Sequence, residues 1–214
     1  MIISSGRSYI FVHIPKTGGT SMAAALEARV HRDDILIGDT PKARLRRGRL
    51  GKLNARGRLW KHATLADIDG VLSPEEIAGM FTFTLVRNPW DRMVSYYHWL
   101  QEQRFDHPAV DRARALDFAD FLTHPQTAAS LRAAPYASYM HDVTGQERAT
   151  AYLRLEHLAE DIAPLVDHLG FRPEIGHENA SDRRADYRGY YEDETAARVA
   201  YFCAADIERF GYRF

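Results

Sequence analysis

The sequence has one cysteine, Cys203, in 214 residues. A lone thiol excludes an internal disulfide framework and fits a reducing compartment. Its setting, Val199-Ala200-Tyr201-Phe202-Cys203, predicts a buried structural thiol. Long hydrophobic runs are absent too. No stretch approaches the roughly 20 apolar residues that span a bilayer. Residues Met1 to Arg7 lack the apolar core of a secretory signal. The expectation is a soluble cytoplasmic protein with no integral membrane segment. Charge of one sign is scarce, at a formal net charge of -1. Bulk charge argues neither for nor against a nucleic-acid partner, and none is expected. No repeat recurs at solenoid periods. No H-x-x-x-H or carboxylate cluster has metal-ligand spacing, so no metal is expected.

What remains is ordinary globular composition, 45% hydrophobic and 27% charged. The length suits a single domain over residues 1–214 with a self-sufficient core. Tyr9-Ile10-Phe11-Val12-His13-Ile14 reads as a strand that stops at Pro15. A glycine loop follows, and Thr20 or Ser21 can cap a helix from Met22 to about Val30. A second unit starts with the strand Phe81 to Val86. Arg87 follows, and Asn88, Pro89 and Asp91 suit the N-cap, N1 and N3 positions of a helix carrying Met93, Tyr96, Tyr97 and Leu100. A third unit is Tyr152 to Leu155, then a helix ending near His168 with a Gly170 stop. Helices are also expected near Phe118 to Leu122, from Thr127 to His141, and from Asp193 to Arg209. Alternating strands and helices imply an α/β fold, a three-layer α/β/α sandwich around a central parallel sheet.

Residues 40 to about 62 form a basic insert. Lys42, Arg44, Arg46, Arg47, Arg49, Lys52, Arg56, Arg58 and Lys61 fall there with no acid between Asp39 and Asp67. The segment reads either as a solvated mobile loop or as a contact surface for an anionic partner.

Two loops carry the chemistry. In Pro15-Lys16-Thr17-Gly18-Gly19-Thr20-Ser21, the glycines allow a tight turn around an anion. Hydroxyls and the first N–H groups of the next helix can point at it, and Lys16 adds positive charge. The ATPase order, glycine before lysine, is reversed. The second loop gives Arg87 at a strand end and Ser95 two turns into a helix. Parallel sheets bind ligands at the carboxyl ends of their strands. Two such anion sites suggest a ligand with two separated phosphates, and an adenosine phosphorylated at its 3′ and 5′ positions fits.

HIPKTGGTS resembles the 5′-phosphosulfate loop of sulfotransferases that use 3′-phosphoadenosine 5′-phosphosulfate (PAPS). LVRNPWDRMVSYYHW resembles their 3′-phosphate segment, with the R-x-P-x-x-R-x-x-S pattern filled by Arg87, Pro89, Arg92 and Ser95. The pair is similar to the sulfotransferase-2, carbohydrate-modifying branch. LRLEHLAEDIAPLVDHLGF, HENASD and the ending FGYRF extend the likeness. The resemblance implies the P-loop-like sulfotransferase fold and PAPS as donor, with 3′-phosphoadenosine 5′-phosphate (PAP) as product. Lys16 would touch the bridging oxygen and 5′-phosphate, and Thr17, Gly18, Gly19, Thr20 and Ser21 would hold the phosphosulfate. Arg87 and Ser95 would hold the 3′-phosphate. Arg183, Arg184 and Tyr187 would belong to a loop closing over the nucleotide. The partner implied is a hydroxyl acceptor, a glycan or glycolipid.

The acceptor hydroxyl must lose a proton, and histidine suits that near neutral pH. Of 10 histidines, His62 in Trp60-Lys61-His62-Ala63-Thr64 lies where the resemblance implies a catalytic one. His13 is the rival, inside a strand. His98 stands three residues past Ser95, and His141 and His157 have no special context. The Tyr96-Tyr97-Trp99 cluster reads as core. A tyrosine, lipid or small-alcohol acceptor remains open, as do a nucleotide kinase and a non-catalytic binding module.

Overall fold

The computed structural model describes residues 1–176, 184 and 186–214. The strands are β1 (Ile2–Ser4), β2 (Tyr9–Val12), β3 (Ile35–Leu36), β4 (Phe81–Val86) and β5 (Ala151–Arg154). The helices in chain order are α1 (Gly19–Glu27), α2 (Pro41–Arg46), α3 (Pro74–Ala78), α4 (Pro89–Glu102), α5 (Pro108–Ala115), α6 (Phe118–Thr123), α7 (Pro125–Ala133), α8 (Leu158–Asp161), α9 (Ala163–Leu169), α10 (Asp193–Phe202) and α11 (Ala204–Phe210). They form two compact units. One holds the described residues of Met1–Val86 and Tyr136–Asn179, the other those of Arg87–Pro135 and Ala180–Phe214.

The first unit is a five-stranded sheet in the order β3-β1-β2-β4-β5. β2, β4 and β5 run parallel, as the alternation of elements predicts. The central strands are thus parallel as expected, and β1, antiparallel to both its neighbours, adds an antiparallel edge. The reason is local. Only Ser5 to Ser8 join β1 to β2, with Ser8 in the left-handed region at φ 51. So short a link can make a hairpin but not a crossover.

Both sheet faces are covered. Tyr9, Phe11, Phe83, Leu85 and Leu153 pack with Met22 and Leu26 of α1 and with Leu165 and Leu169 of α9. Ile3, Ile10 and Val12 pack with Ala63, Leu65, Ile68, Ile77 and Met140 on the other side. Phe11 is fully buried, and such a side chain gives roughly 1.5–3 kcal/mol on leaving water. The register sets Val12 beside Thr84 and Val86 beside Arg154, so the carboxyl ends of the parallel strands lie side by side. The buried Thr84 hydroxyl donates to the Val12 carbonyl (2.8 Å), tying β4 to the end of β2.

The second unit is helical. α4 buries Trp90, Met93, Val94, Tyr97 and Leu100, a stripe at helical spacing. It packs on α5, α6 and α10. Tyr97 meets Phe118 and Phe121, and Trp99 meets Phe105, so the aromatic cluster is packing. Two long helices expected from the sequence are broken. Pro135 ends α7 at Ala133, and a 3-10 turn, Tyr136–Met140, replaces its expected continuation. The last helix divides at Cys203, whose φ -108 and ψ 20 leave the helical range. The Cys203 thiol is buried, and burial pushes its pKa up to about 11.

Most cations of the basic insert have partners within this unit. Arg46 donates to the carbonyls of His31 and Asp34, Arg49 to that of Arg32, and Lys42 to that of Glu27. Arg47 and Lys61 both pair with Asp39 at 3.2 Å. Arg56 pairs with Asp69 at 3.0 Å.

Candidate active site

In the first unit the chain leaves β2 through a constrained loop. Lys16 stands at φ 66, in the left-handed region. That conformation costs a non-glycine residue roughly 1–2 kcal/mol. Strain of this kind persists where surrounding structure enforces it, often at functional sites. Gly18 follows at φ 84, and a Cβ there would lie 2.9 Å from Leu155 Cδ1. A Cβ on Gly19 would fall 2.0 Å from His13 Cδ2. Only glycine lets His13 pack against the loop so closely.

Gly18 is also the N-cap of α1, so Thr20 and Ser21 lie in the helix's first turn rather than capping it. Their N–H groups, with that of Gly19, belong to the set that an α-helix leaves unsatisfied at its start. Such a helix start favours an anion. The Thr17 hydroxyl turns inward instead, donating to the buried Ile14 carbonyl at 2.9 Å. It closes the loop from inside.

His62 comes to this loop from a distant stretch of chain. Its Nδ1 bonds the His13 carbonyl at 2.8 Å. A carbonyl only accepts, so the proton sits on Nδ1 and the neutral ring carries its lone pair on Nε2. The ring meets His13 edge-on at 4.7 Å and Trp60 edge-on at 5.1 Å. The backbone around His62 is fixed on both sides. The Met1 amine donates to the Lys61 carbonyl at 3.1 Å, and the Asp67 carboxylate accepts from Thr64 N at 2.8 Å.

His13 itself is 8% exposed. Burial holds its pKa well below the usual 6.5, and any positive charge on His62, the amino terminus, Lys61 or Lys16 pushes the same way. It is a neutral spacer between the loop and His62.

In the second unit Arg87 opens the segment before α4. Its Nε (2.9 Å) and Nη2 (2.6 Å) both donate to Asp91 Oδ2. Ser95, one turn beyond Asp91, is buried on the same side of the helix. The helix start is held firmly. Asn88 Oδ1 accepts from Trp90 N (3.0 Å), and its Nδ2 donates to the Arg213 carbonyl (3.0 Å) and the Tyr187 hydroxyl (3.2 Å). Trp90 Nε1 donates to the Ala196 carbonyl (2.9 Å), and Tyr191 donates to the Trp90 carbonyl (2.8 Å).

Tyr187 is thus bonded to the residue next to Arg87, and burial raises its pKa. Arg184 N donates to the Tyr190 hydroxyl at 3.2 Å. Arg183 and the HENASD stretch lie outside the described residues. His98 packs among Tyr97 and Tyr190. His157 lies 3.7 Å from Glu160, and His141 bridges Glu147.

The structure therefore gathers Lys16 to Ser21 with His62, and separately aligns Arg87 with Ser95. Sequence reasoning passed over Asp91 as Arg87's partner, although their i,i+4 spacing signals it. It also passed over the tyrosine and tail contacts to Asn88, which span 99 and 125 residues and leave no local signal. Among the described residues, no group of three or more His, Cys, Asp or Glu could hold a metal ion. No helix there is long and apolar enough to cross a membrane.

A family model described as the sulfotransferase family matches residues 1–212. Among solved structures, the crystal structure of mouse sulfotransferase SULT7A1 complexed with PAP is similar. The match has 15% identity and a TM-score of 0.39, and covers 96% of this chain and 67% of that one. No curated protein matches.

Proposed function

The chain belongs to the sulfotransferase family, and from that premise we propose that it transfers the sulfuryl group of PAPS to a hydroxyl of a carbohydrate, on a glycan or glycolipid. The observation that carries the reading is the bond between His62 and His13. It puts the Nδ1 proton of His62 on the His13 carbonyl next to the strained, glycine-lined loop after β2, which supports a base at Nε2.

The residues fit the donor. Lys16, the backbone of Thr17, Gly18 and Gly19, and the first turn with Thr20 and Ser21 would hold the 5′-phosphosulfate. Arg87 and Ser95 would hold the 3′-phosphate, and Arg183, Arg184 and Tyr187 are the further nucleotide contacts proposed. Arg87 offers the forked guanidinium that a phosphate prefers. In transfer the acceptor oxygen forms a bond to sulfur as the sulfur–oxygen bond to the 5′-phosphate breaks. Charge grows on that phosphate, where Lys16 and the start of α1 stabilise it. His62 Nε2 takes the proton from the acceptor hydroxyl. A metal has no role in this scheme. The lone buried thiol of Cys203 supports a cytoplasmic location.

The test is a labelled-PAPS transfer assay over glycans, glycolipids, tyrosine peptides and small alcohols, with a thermal-shift series beside it. PAP should stabilise the protein without added metal, since a ligand of the native state raises its stability. Glycans or glycolipids should take up label. A larger shift with ATP and Mg²⁺ would overturn the donor assignment. Label on peptides or alcohols alone would overturn the carbohydrate assignment.

A further inference from the structure

We propose that the cavity between the edge strand β3 and the basic insert binds a free aliphatic amino acid in its zwitterionic form. The cavity lies away from the donor loop. Ile35 pairs with Ile3, and Ser4 with Tyr9, which sets Asp34 level with the start of β2, whereas the loop leaves that strand's other end.

β3 is the outer strand of the sheet, and α2 and the turn Arg47–Lys52 pack against it, covering an edge that would otherwise lie open. Between them a cavity of about 340 Å³ remains. That is the small end of the range for ligand sites. Ile35, Leu36, Leu50 and Leu53 give it aliphatic walls, and Asp34, Arg46 and Arg49 line it with charge. Asp33 lines it too, but pairs with the exposed Arg32 at 3.3 Å.

Asp34 is the group that lacks a partner. It is 2% exposed. Its Oδ2 accepts from His31 N at 2.8 Å, while no donor among the described residues reaches Oδ1. A buried carboxylate oxygen without a donor is costly, and an ammonium group would satisfy it. The two guanidiniums favour the opposite charge. Arg46 Nη1 donates to the carbonyls of His31 (2.9 Å) and Asp34 (3.2 Å), and Arg49 Nη1 to that of Arg32 (2.5 Å). These bonds fasten both side chains to the chain around β3. They leave Nε and Nη2 of each without an acceptor among the described residues. Such a fork suits a carboxylate.

Charge selects the ligand. A simple amine would satisfy Asp34 but face two guanidiniums, and a simple acid would face the Asp34 carboxylate. A molecule with both charges on one carbon and an aliphatic tail matches every wall. Its ammonium meets Asp34, its carboxylate meets Arg46 and Arg49, and its tail meets the leucines.

The test is binding, by calorimetry and ligand-observed NMR, of L-leucine and two probes of the same skeleton. 3-Methylbutylamine lacks the carboxylate, and 4-methylpentanoate lacks the amine. L-Leucine should bind in the millimolar range or tighter, as suits so small a ligand. It should bind about tenfold more tightly than either probe, the scale of one charged hydrogen bond. Asp34→Asn keeps an oxygen for His31 N, so the thermal midpoint without ligand should change little. In that variant leucine should lose its advantage over 4-methylpentanoate. Arg49→Gln, at an exposed side chain, should remove the advantage over 3-methylbutylamine. It decides the matter alone if Asp34→Asn fails to fold. No binding of leucine would overturn the proposal, as would equal or tighter binding of either probe to the unaltered protein. So would a folded variant that binds leucine as the unaltered protein does, or tighter binding of L-glutamate than of L-leucine.

Discussion

The imidazole of His62 can act as a base only with its lone pair on Nε2, and the backbone carbonyl of His13 imposes that tautomer. His62→Ala should lower kcat by about 10²–10⁴-fold, the usual worth of a positioned base. The PAP thermal shift should be unchanged, and retained turnover would assign the base elsewhere. His13 predicts a pH effect of its own. Its folded pKa lies well below 6.5, chiefly through burial. In the unfolded chain it would titrate near 6.5, so below that pH the unfolded state binds the extra proton. Stability contributed by neutral His13 is therefore present above about pH 6.5 and is lost as pH falls, by about 1.4 kcal/mol per pH unit. His13→Phe should flatten that acid-side decline in urea unfolding measured from pH 7 to 5. An unchanged slope would place the decline on other groups.

At the scale of elements, the start of α4 rests on contacts from distant parts of its unit. Asn88 caps the helix and ties it to Tyr187 and the Arg213 carbonyl. Asn88→Ala should cost about 0.5–2 kcal/mol as a lost cap. It should also weaken PAP binding through the neighbouring Arg87, which a thermal-shift titration reads out. The cap itself was legible in Asn88-Pro89-Trp90-Asp91, as were the stop at Gly170 and the strand–glycine–helix order around Lys16. Local sequence carries such signals because each is a backbone demand met by one residue type. The inward turn of Thr17, the carbonyl that orients His62 and the tail contact to Asn88 were not legible. Each depends on a partner fixed by tertiary packing. The hairpin of β1 was readable in principle, since Ser5-Gly6-Arg7-Ser8 is a turn between two apolar runs, but Ile2–Ser4 is too short to carry a strand pattern of its own.

For the whole molecule, the fold class follows from strands and helices that alternate, and the corrections follow from what interrupts them. Pro135 breaks a helix, and a four-residue turn reverses a strand. The basic insert shows the same limit. Its composition left open a solvated loop or an anion-contact surface, and carbonyls and carboxylates within the unit engage most of its cationic side chains. The proposed function has Lys16 and Arg87 bind the 5′ and 3′ groups of one nucleotide. Affinities of PAP and 5′-AMP, which lacks the 3′-phosphate, test that most directly. The unaltered protein should prefer PAP by about tenfold or more, the worth of a charged contact. Arg87→Ala should bind the two alike, whereas Lys16→Ala should weaken both and keep the preference. An Arg87→Ala protein that still prefers PAP over 5′-AMP as the unaltered protein does would contradict the account.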